Sequence, residues 1–352
     1  MRILVCHPQP PFMSGGAETH ANGLVRALRE AGHEAEIATI PFQWAPPSEL
    51  VHQMGLWRSL DLREANGMSI DLVVAMKFPA YLVNHPRKII WLIHQQRTAY
   101  ELWGHPGFGD LSKDPDGSAI RDLVVASDRL AFGEAERIFT NSENVKGRLE
   151  RSLGVRGEVL YHRSDLTERL LGRDPGDGAG DYLLFPSRFD PLKRQALAVD
   201  AMRHVRSDVR LVLVGSGTEL EMIRTRIADA RLADRVEIRV RVSDDELVEL
   251  YRDALGVYFG PYEEDYGYVT IEAMAAGRPV IVTTDSGGPL EFARNEETGV
   301  IVEPDPEQIA AAFDELFEHA DHDPARPLIE FYRREGEVDC LVPVKASPPA
   351  GE

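Results

Sequence analysis

Two α/β halves, each a parallel sheet covered by helices, are what this sequence predicts. Three observations carry that expectation. Short apolar runs alternate with helical stripes along most of the chain, the pattern of strand–helix–strand crossovers. The 352 residues fit two domains at roughly 100–200 residues each. Near the middle, Gly172, Pro175, Gly176, Gly178 and Gly180 crowd together with Arg and Asp, the texture of a linker. Open sheets of this kind take ligands beyond the carboxyl ends of their strands. If those ends face each other, ligands meet in a cleft between the halves.

The first half opens with Ile3-Leu4-Val5 as a buried strand, followed by a Pro-, Ser- and Gly-rich loop from His7 to Gly16. Ala17, Ala21, Leu24 and Leu28 then fall on one helical face, and Gly32 stops that helix. Further strands are expected at 35–40, 72–74, 89–93 and 137–140, and Ser142 caps a helix running to about Leu153. Residues 41–66 and 104–117 show no clear period and read as loops. In the second half, strands are expected at 182–185, 211–214, 236–240, 256–260 and 279–283. Leu220, Ile223, Ile227 and Ala230 share a helical face, and Ser243 with Glu246 makes a capping box. Pro306 opens a helix with Ile309, Phe313, Leu316 and Phe317 inward. The expected division is residues 1–165, a linker at 166–180, residues 181–320, and an atypical tail at 321–352.

Charge and composition exclude several classes. With 39 basic and 58 acidic side chains the formal net charge is −19, the wrong sign for a sequence-blind nucleic-acid binder. It also opposes bulk attraction to anionic lipid, so a membrane would be met only through an acceptor or a local patch. Cys6 and Cys340 are the two cysteines, too few for a disulfide framework or a cysteine-rich zinc site. No run of 18 apolar residues occurs, and the chain starts directly on a strand, so a cytoplasmic protein is expected. No His-Glu-x-x-His, cysteine pair or Asp-x-Asp cluster supports a metal.

Four stretches can carry chemistry. Pro261 to Gly277 follows an apolar strand; it places Glu264 in a loop, Gly267 and Tyr268 at a helix start, and Glu272 on that helix. Paired carboxylates there can accept hydrogen bonds from vicinal sugar hydroxyls, although acids near a helix start also stabilise it by about 0.3–1 kcal/mol with no ligand at all. Arg188 and Lys193 flank a turn just after the first strand of the second half; a bidentate guanidinium and a compact ammonium suit a diphosphate. Gly15-Gly16 ahead of the first helix presents free amides to an anion, or is simply a turn. His94, just past a strand end, can take a proton or orient a hydroxyl, or be one more hydrogen-bonded histidine among eleven.

Taken together and in order, these stretches resemble the retaining glycosyltransferases of family four, which have the GT-B fold of two Rossmann-like domains facing across a cleft. The resemblance spans about residues 1–320. It is carried by Glu264 and Glu272 with the following Ala273-Met274-Ala275-Ala276-Gly277-Arg278-Pro279-Val280, by Arg188 and Lys193 as Arg-x-x-x-x-Lys, by Gly15-Gly16-Ala17-Glu18, by Asn141 to Val145, and by Thr284 to Glu291.

The resemblance implies that Arg188 and Lys193 hold the diphosphate and stabilise charge on departure. It implies that Glu272 binds the nucleotide ribose, and that Glu264 contacts the donor sugar, helped by the amides of Gly267 and Tyr268. Gly15 and Gly16 would approach the diphosphate from the other domain, His94 would lie near the acceptor, and Val242 would fall beside the nucleobase. The implied donor is a UDP- or GDP-linked sugar, a hexose above all, with no further cofactor; the acceptor is a hydroxyl on a glycan, a lipid-linked sugar or a small molecule. Two features depart from the family: the proline pair before the linker is missing around Leu160 to Asp165, and aromatic-rich terminal helices are not evident after His319. A nucleotide-sugar epimerase and a non-catalytic nucleotide-sugar-binding relative are the alternatives.

Overall fold

A computed structural model of the chain describes residues 1–173, 180–293 and 298–318. Strand β1 (Arg2–Cys6) leads into helix α1 (Gly16–Glu30), then β2 (Glu34–Ala38), α2 (Ser48–Ser59), β3 (Glu64–Ala65), β4 (Met68–Ser69) and β5 (Leu72–Ala75). The half continues through β6 (Lys88–Leu92), α3 (Gly117–Gly133), β7 (Arg137–Thr140), α4 (Glu143–Leu153) and β8 (Glu158–Val159). Helix α5 (Asp165–Leu171) precedes β9 (Tyr182–Pro186), α6 (Gln195–Met202), β10 (Arg210–Val214), α7 (Leu220–Asp229), β11 (Val236–Arg239) and α8 (Asp244–Asp253). The chain then forms β12 (Gly256–Tyr258), α9 (Tyr268–Ala275), β13 (Val280–Thr283), β14 (Gly299–Val302) and α10 (Pro306–Glu318).

Strand order in the first large sheet is β2-β1-β5-β6-β7-β8, and in the second β11-β10-β9-β12-β13-β14. Every pairing within both is parallel. The strands therefore need cover on both faces, and side-chain alternation supplies two cores per sheet. In the second sheet Leu184, Val212, Val214, Val257, Val280 and Val282 pack one way, under α5, α8 and α9. Leu183, Phe185, Leu211, Leu213, Tyr258 and Ile281 pack the other way, under α6, α7 and α10. The first sheet divides likewise, with Val73, Ala75, Ile90 and Leu92 on one face and Ile3, Val5, Val74 and Ile89 on the other.

Two expectations need correction. The stretch 41–66 is not a loop throughout: α2 lies within it and buries Leu50, Gln53, Met54 and Trp57 on one face. A buried glutamine and the exposed Leu56 blur that stripe in the sequence. Nor does the linker start at 166. Ser164 caps α5 by accepting from the Thr167 amide, and Thr167 and Leu170 are buried; Leu170 belongs to the core under the second sheet. Those residues are part of the second half, because an apolar face needs a partner to bury against. The remainder of the expected linker, 174–179, and the tail from 319, with Cys340, lie outside the described residues. Among the described residues no helix is long and apolar enough to cross a membrane.

Candidate active site

In a doubly wound sheet the crevice opens where strand order reverses, since the crossovers on either side leave in opposite directions. The second sheet reverses between β9 and β12. Arg188 follows β9, is exposed, and makes no side-chain hydrogen bond or ion pair among the described residues. A short 3-10 turn at Pro191–Lys193 comes next, held by the Asp190 carboxylate accepting from the Leu192 amide at 3.1 Å. It carries Lys193 onto the Glu264 carboxylate, and that pair is mostly buried, with side chains 15% and 20% exposed. The Lys193 ammonium also stands 5.5 Å above the Phe259 ring.

The loop after β12 that bears Glu264 is clamped from its own half. Arg194 donates to the Gly260 and Pro261 carbonyls, each at 2.8 Å, and forms a two-pronged pair with Asp285 at 2.7 and 2.8 Å. The Glu263 and Glu264 amides donate to the Asp285 and Ser286 carbonyls, both at 2.8 Å. Gly267 ends the loop at φ 92°, and a Cβ there would meet Pro289 Cγ at 2.7 Å. Both the left-handed backbone and the lack of room call for glycine.

The first half closes on the same loop. A Cβ on Gly15 would stand 3.7 Å from Arg188 Nε, and one on Gly16 would stand 3.1 Å from the Tyr268 ring. The Asn144 side chain donates through Nδ2 to the Glu264 carbonyl at 2.9 Å and the Ser142 hydroxyl to the Asp265 carbonyl at 2.6 Å. Arg97 reaches the Glu263 carbonyl at 2.7 Å, and Arg148 reaches the Asp265 carboxylate at 2.5 Å. Burial alone would raise the Asp265 pKa, but Arg97, His94 and Arg148 outweigh it and hold the carboxyl below its ordinary range. In the other direction Glu291 accepts from the Glu143 and Asn144 amides at 3.0 and 2.6 Å, capping α4 from the opposite half.

A family model described as glycosyl transferases group 1 matches residues 176–330. A D-inositol 3-phosphate glycosyltransferase of Pseudarthrobacter chlorophenolicus is 33% identical over 354 residues, 89% of this chain and 83% of that protein. The chain belongs to the group 1 glycosyltransferases.

A protein of the same name from Acidothermus cellulolyticus is 29% identical over 255 residues, and the match spans 56% of its length. Among solved structures, sucrose-phosphate synthase from Thermosynechococcus elongatus superposes with a TM-score of 0.77 at 18% identity, covering 97% of this chain and 96% of that one. Anabaena HepE, solved in complex with UDP and glucose, superposes with a TM-score of 0.67 at 17% identity, covering 96% of each chain. With its two facing Rossmann-like sheets, this group 1 glycosyltransferase has the GT-B fold.

Within that fold the residues singled out from the sequence fall into two groups. Gly15, Gly16, Arg188, Lys193, Glu264, Gly267 and Tyr268 converge on the crevice. His94 sits close enough to Asp265 to feel its charge; its Nδ1 donates to the Gln95 carbonyl at 2.7 Å, so Nε2 is the basic nitrogen. Burial pushes the His94 pKa down, which keeps the ring neutral at pH 7. Glu272 is different. It is 8% exposed, and its two oxygens accept from Ser164 at 2.9 Å and Tyr251 at 2.8 Å. Desolvation raises its pKa. The Tyr268 hydroxyl is likewise engaged, 2.6 Å from His162 Nδ1. Val242 lies between β11 and α8 and packs half-buried against the second half's core.

Sequence reasoning missed Glu18, Lys77, Arg97, Arg148, Arg194 and Asp285, all of which shape the crevice. Glu18 and Asp285 each sat within a stretch already singled out. Arg97 and Arg148 carry no local signal for their part in the crevice, because the Glu263 and Asp265 groups they reach there are more than a hundred positions away. Among the described residues no group of three or more His, Cys, Asp or Glu is placed to hold a metal ion.

Proposed function

We propose that this chain is a retaining glycosyltransferase that moves a hexosyl group from a UDP-linked donor to a hydroxyl acceptor, with the second half holding the donor and the first the acceptor. One observation carries the reading: at the second sheet's reversal, an exposed Arg188, unpaired among the described residues, stands beside the Gly15–Gly16 loop at the start of α1, with the Lys193–Glu264 pair on the same crevice. A guanidinium, an ammonium and helix-terminal amides converging from two domains form a cradle for a diphosphate. HepE's complex with UDP supports uridine over other bases.

In this reading the incoming diphosphate draws Lys193 from Glu264, freeing that carboxylate to accept from the donor sugar's hydroxyls. Arg188 and Lys193 then neutralise the charge that grows on the leaving phosphate, where preorganised cations lower a barrier most. The acceptor attacks from the same face and passes its proton to the departing phosphate, which preserves the anomeric configuration. Neutral His94, through Nε2, orients the acceptor hydroxyl. Glu272 keeps lone pairs beyond the two used by Ser164 and Tyr251 and serves the ribose diol with those.

The test is UDP release from UDP-glucose in the presence of an acceptor panel, with product anomers assigned by proton NMR. The panel includes myo-inositol and its 3-phosphate, the latter because relatives are named for it. Lys193→Ala is expected to lower turnover about 100–1,000-fold, the range for removing one charge-stabilising group. Turnover within a few-fold of the parent, or an inverted product, would refute the reading.

A further inference from the structure

The first sheet has its own reversal, between β1 and β5, and the groups that meet there differ from those of the second. His7 follows β1, Lys77 follows β5, and Glu18 lies in the first turn of α1. His7 Nε2 is 3.2 Å and the Lys77 ammonium 3.7 Å from the same Glu18 oxygen. All three are largely buried: His7 is 2% exposed, and the Lys77 and Glu18 side chains 9% and 13%. Glu18 Oε2 and Arg188 Nε both stand 3.7 Å from the point where a Cβ on Gly15 would be. This cluster therefore opens onto the same space as the donor-side cation.

Its protonation follows from those contacts. Burial opposes charge on Glu18, but the His7 hydrogen bond and Lys77 prevail and hold its carboxyl at about 2. Burial pushes the His7 pKa down, so the ring is neutral and its Nε2–H donates to Glu18. Its Nδ1 then keeps a lone pair, and that atom is buried with no hydrogen-bond partner among the described residues. An ionised carboxylate and an orphaned imidazole lone pair are both acceptors, and both call for O–H donors. The cations on the segments after β5, β6 and β7 offer little to an anion. Lys77 is held by Glu18, Arg97 by Glu101 at 2.7 Å, and Arg148 by Asp265 and Glu263.

Resting on the donor-and-acceptor reading above, we propose that Glu18, backed by His7 and Lys77, selects the acceptor: the site takes an uncharged polyhydroxy compound and rejects a phosphate monoester. A neutral polyol supplies hydroxyl donors to Glu18, whose ionised carboxylate keeps lone pairs beyond those that His7 and Lys77 use. A phosphate monoester carries about −1.5 to −2 charges and mainly acceptor oxygens, so it meets Glu18 as a like charge, and with Arg188 taken by the donor diphosphate it finds the first half's cations already paired.

The experiment first measures UDP binding by calorimetry; failure there refutes the donor site and leaves the acceptor question separate. UDP-saturated protein, whose donor cations are then occupied, is titrated with inorganic phosphate, and UDP-glucose turnover is compared with myo-inositol and with myo-inositol 3-phosphate. The parent protein is expected to show no phosphate binding in the low-millimolar range. Glu18→Gln, which leaves Lys77 unpaired, is expected to bind phosphate at least about tenfold more tightly, a change of about 1.4 kcal/mol, and to accept the phosphorylated inositol better relative to the free one. Submillimolar phosphate binding by the UDP-loaded parent, a preference of the parent for the phosphorylated acceptor, or no gain in Glu18→Gln each overturns the proposal. If Glu18→Gln melts early, Glu18→Ser takes its place, and the parent arms stand without either variant.

Discussion

The two sheets reverse strand order in the same way yet furnish their crevices oppositely. At the second reversal a guanidinium is left exposed and, among the described residues, unpaired, while its lysine neighbour pairs with a carboxylate in a mostly buried position. At the first, the lysine is buried, tied to a carboxylate, and backed by a neutral histidine. Topology thus fixes where a ligand lies, and a handful of side chains on the following loops fixes which ligand it is. Arg188, unpaired among the described residues, invites an anion; Lys77, neutralised by Glu18, contributes structure.

Single substitutions sharpen this contrast by separating stability from ligand affinity. Lys77→Ala strips Glu18 of its counter-charge in a buried setting and is expected to destabilise the fold by on the order of 3 kcal/mol, read as a fall in urea midpoint, with UDP affinity little changed. Arg188→Ala is expected to do the reverse. The urea midpoint should hold, and calorimetry should show UDP binding weakened by about 1.5–3 kcal/mol, the usual worth of hydrogen bonds to charged groups. Equal effects of the two variants on both readouts would erase the distinction between the reversals. The smallest effect is on pH. His7 and His94 have pKa values lowered by burial, so the unfolded chain binds their protons more readily. Their contribution to stability is complete above about pH 6.5 and declines as pH falls below that. His7→Gln should make the acid limb of a melting-temperature profile shallower.

Much of the fold was readable because most sheet strands are compact apolar runs and because the helices that bury a clean face announce it; β2 and β11 alternate polar and apolar residues instead, and β14 was not anticipated. Helix α2 was not, since Gln53 sits among its buried positions and Leu56 outside them. Of the crevice, the residues close to strand ends and glycine turns were legible from local pattern: Arg188, Lys193, Glu264 and Gly267. Arg97, Arg148 and Arg194 were not, because what makes them matter is a carbonyl or carboxylate elsewhere in the chain. Glu272 was visible, but its bonds to Ser164 and Tyr251 were not. No spacing rule pairs a helix residue with a serine from the stretch that joins the halves.

Glu291 gives the seam between the halves a mechanical meaning. Its carboxylate, whose pKa burial raises, satisfies two amides at the start of a helix that belongs to the other sheet. Any rotation that widens the gap between Glu291 and α4 must hand both amides back to water, leaving Ser142 as the cap on the Val145 amide. Separation of the two lobes is therefore coupled to fraying at the first turn of α4, and hydrogen exchange at Glu143 and Asn144 becomes a local gauge of how far apart they stand.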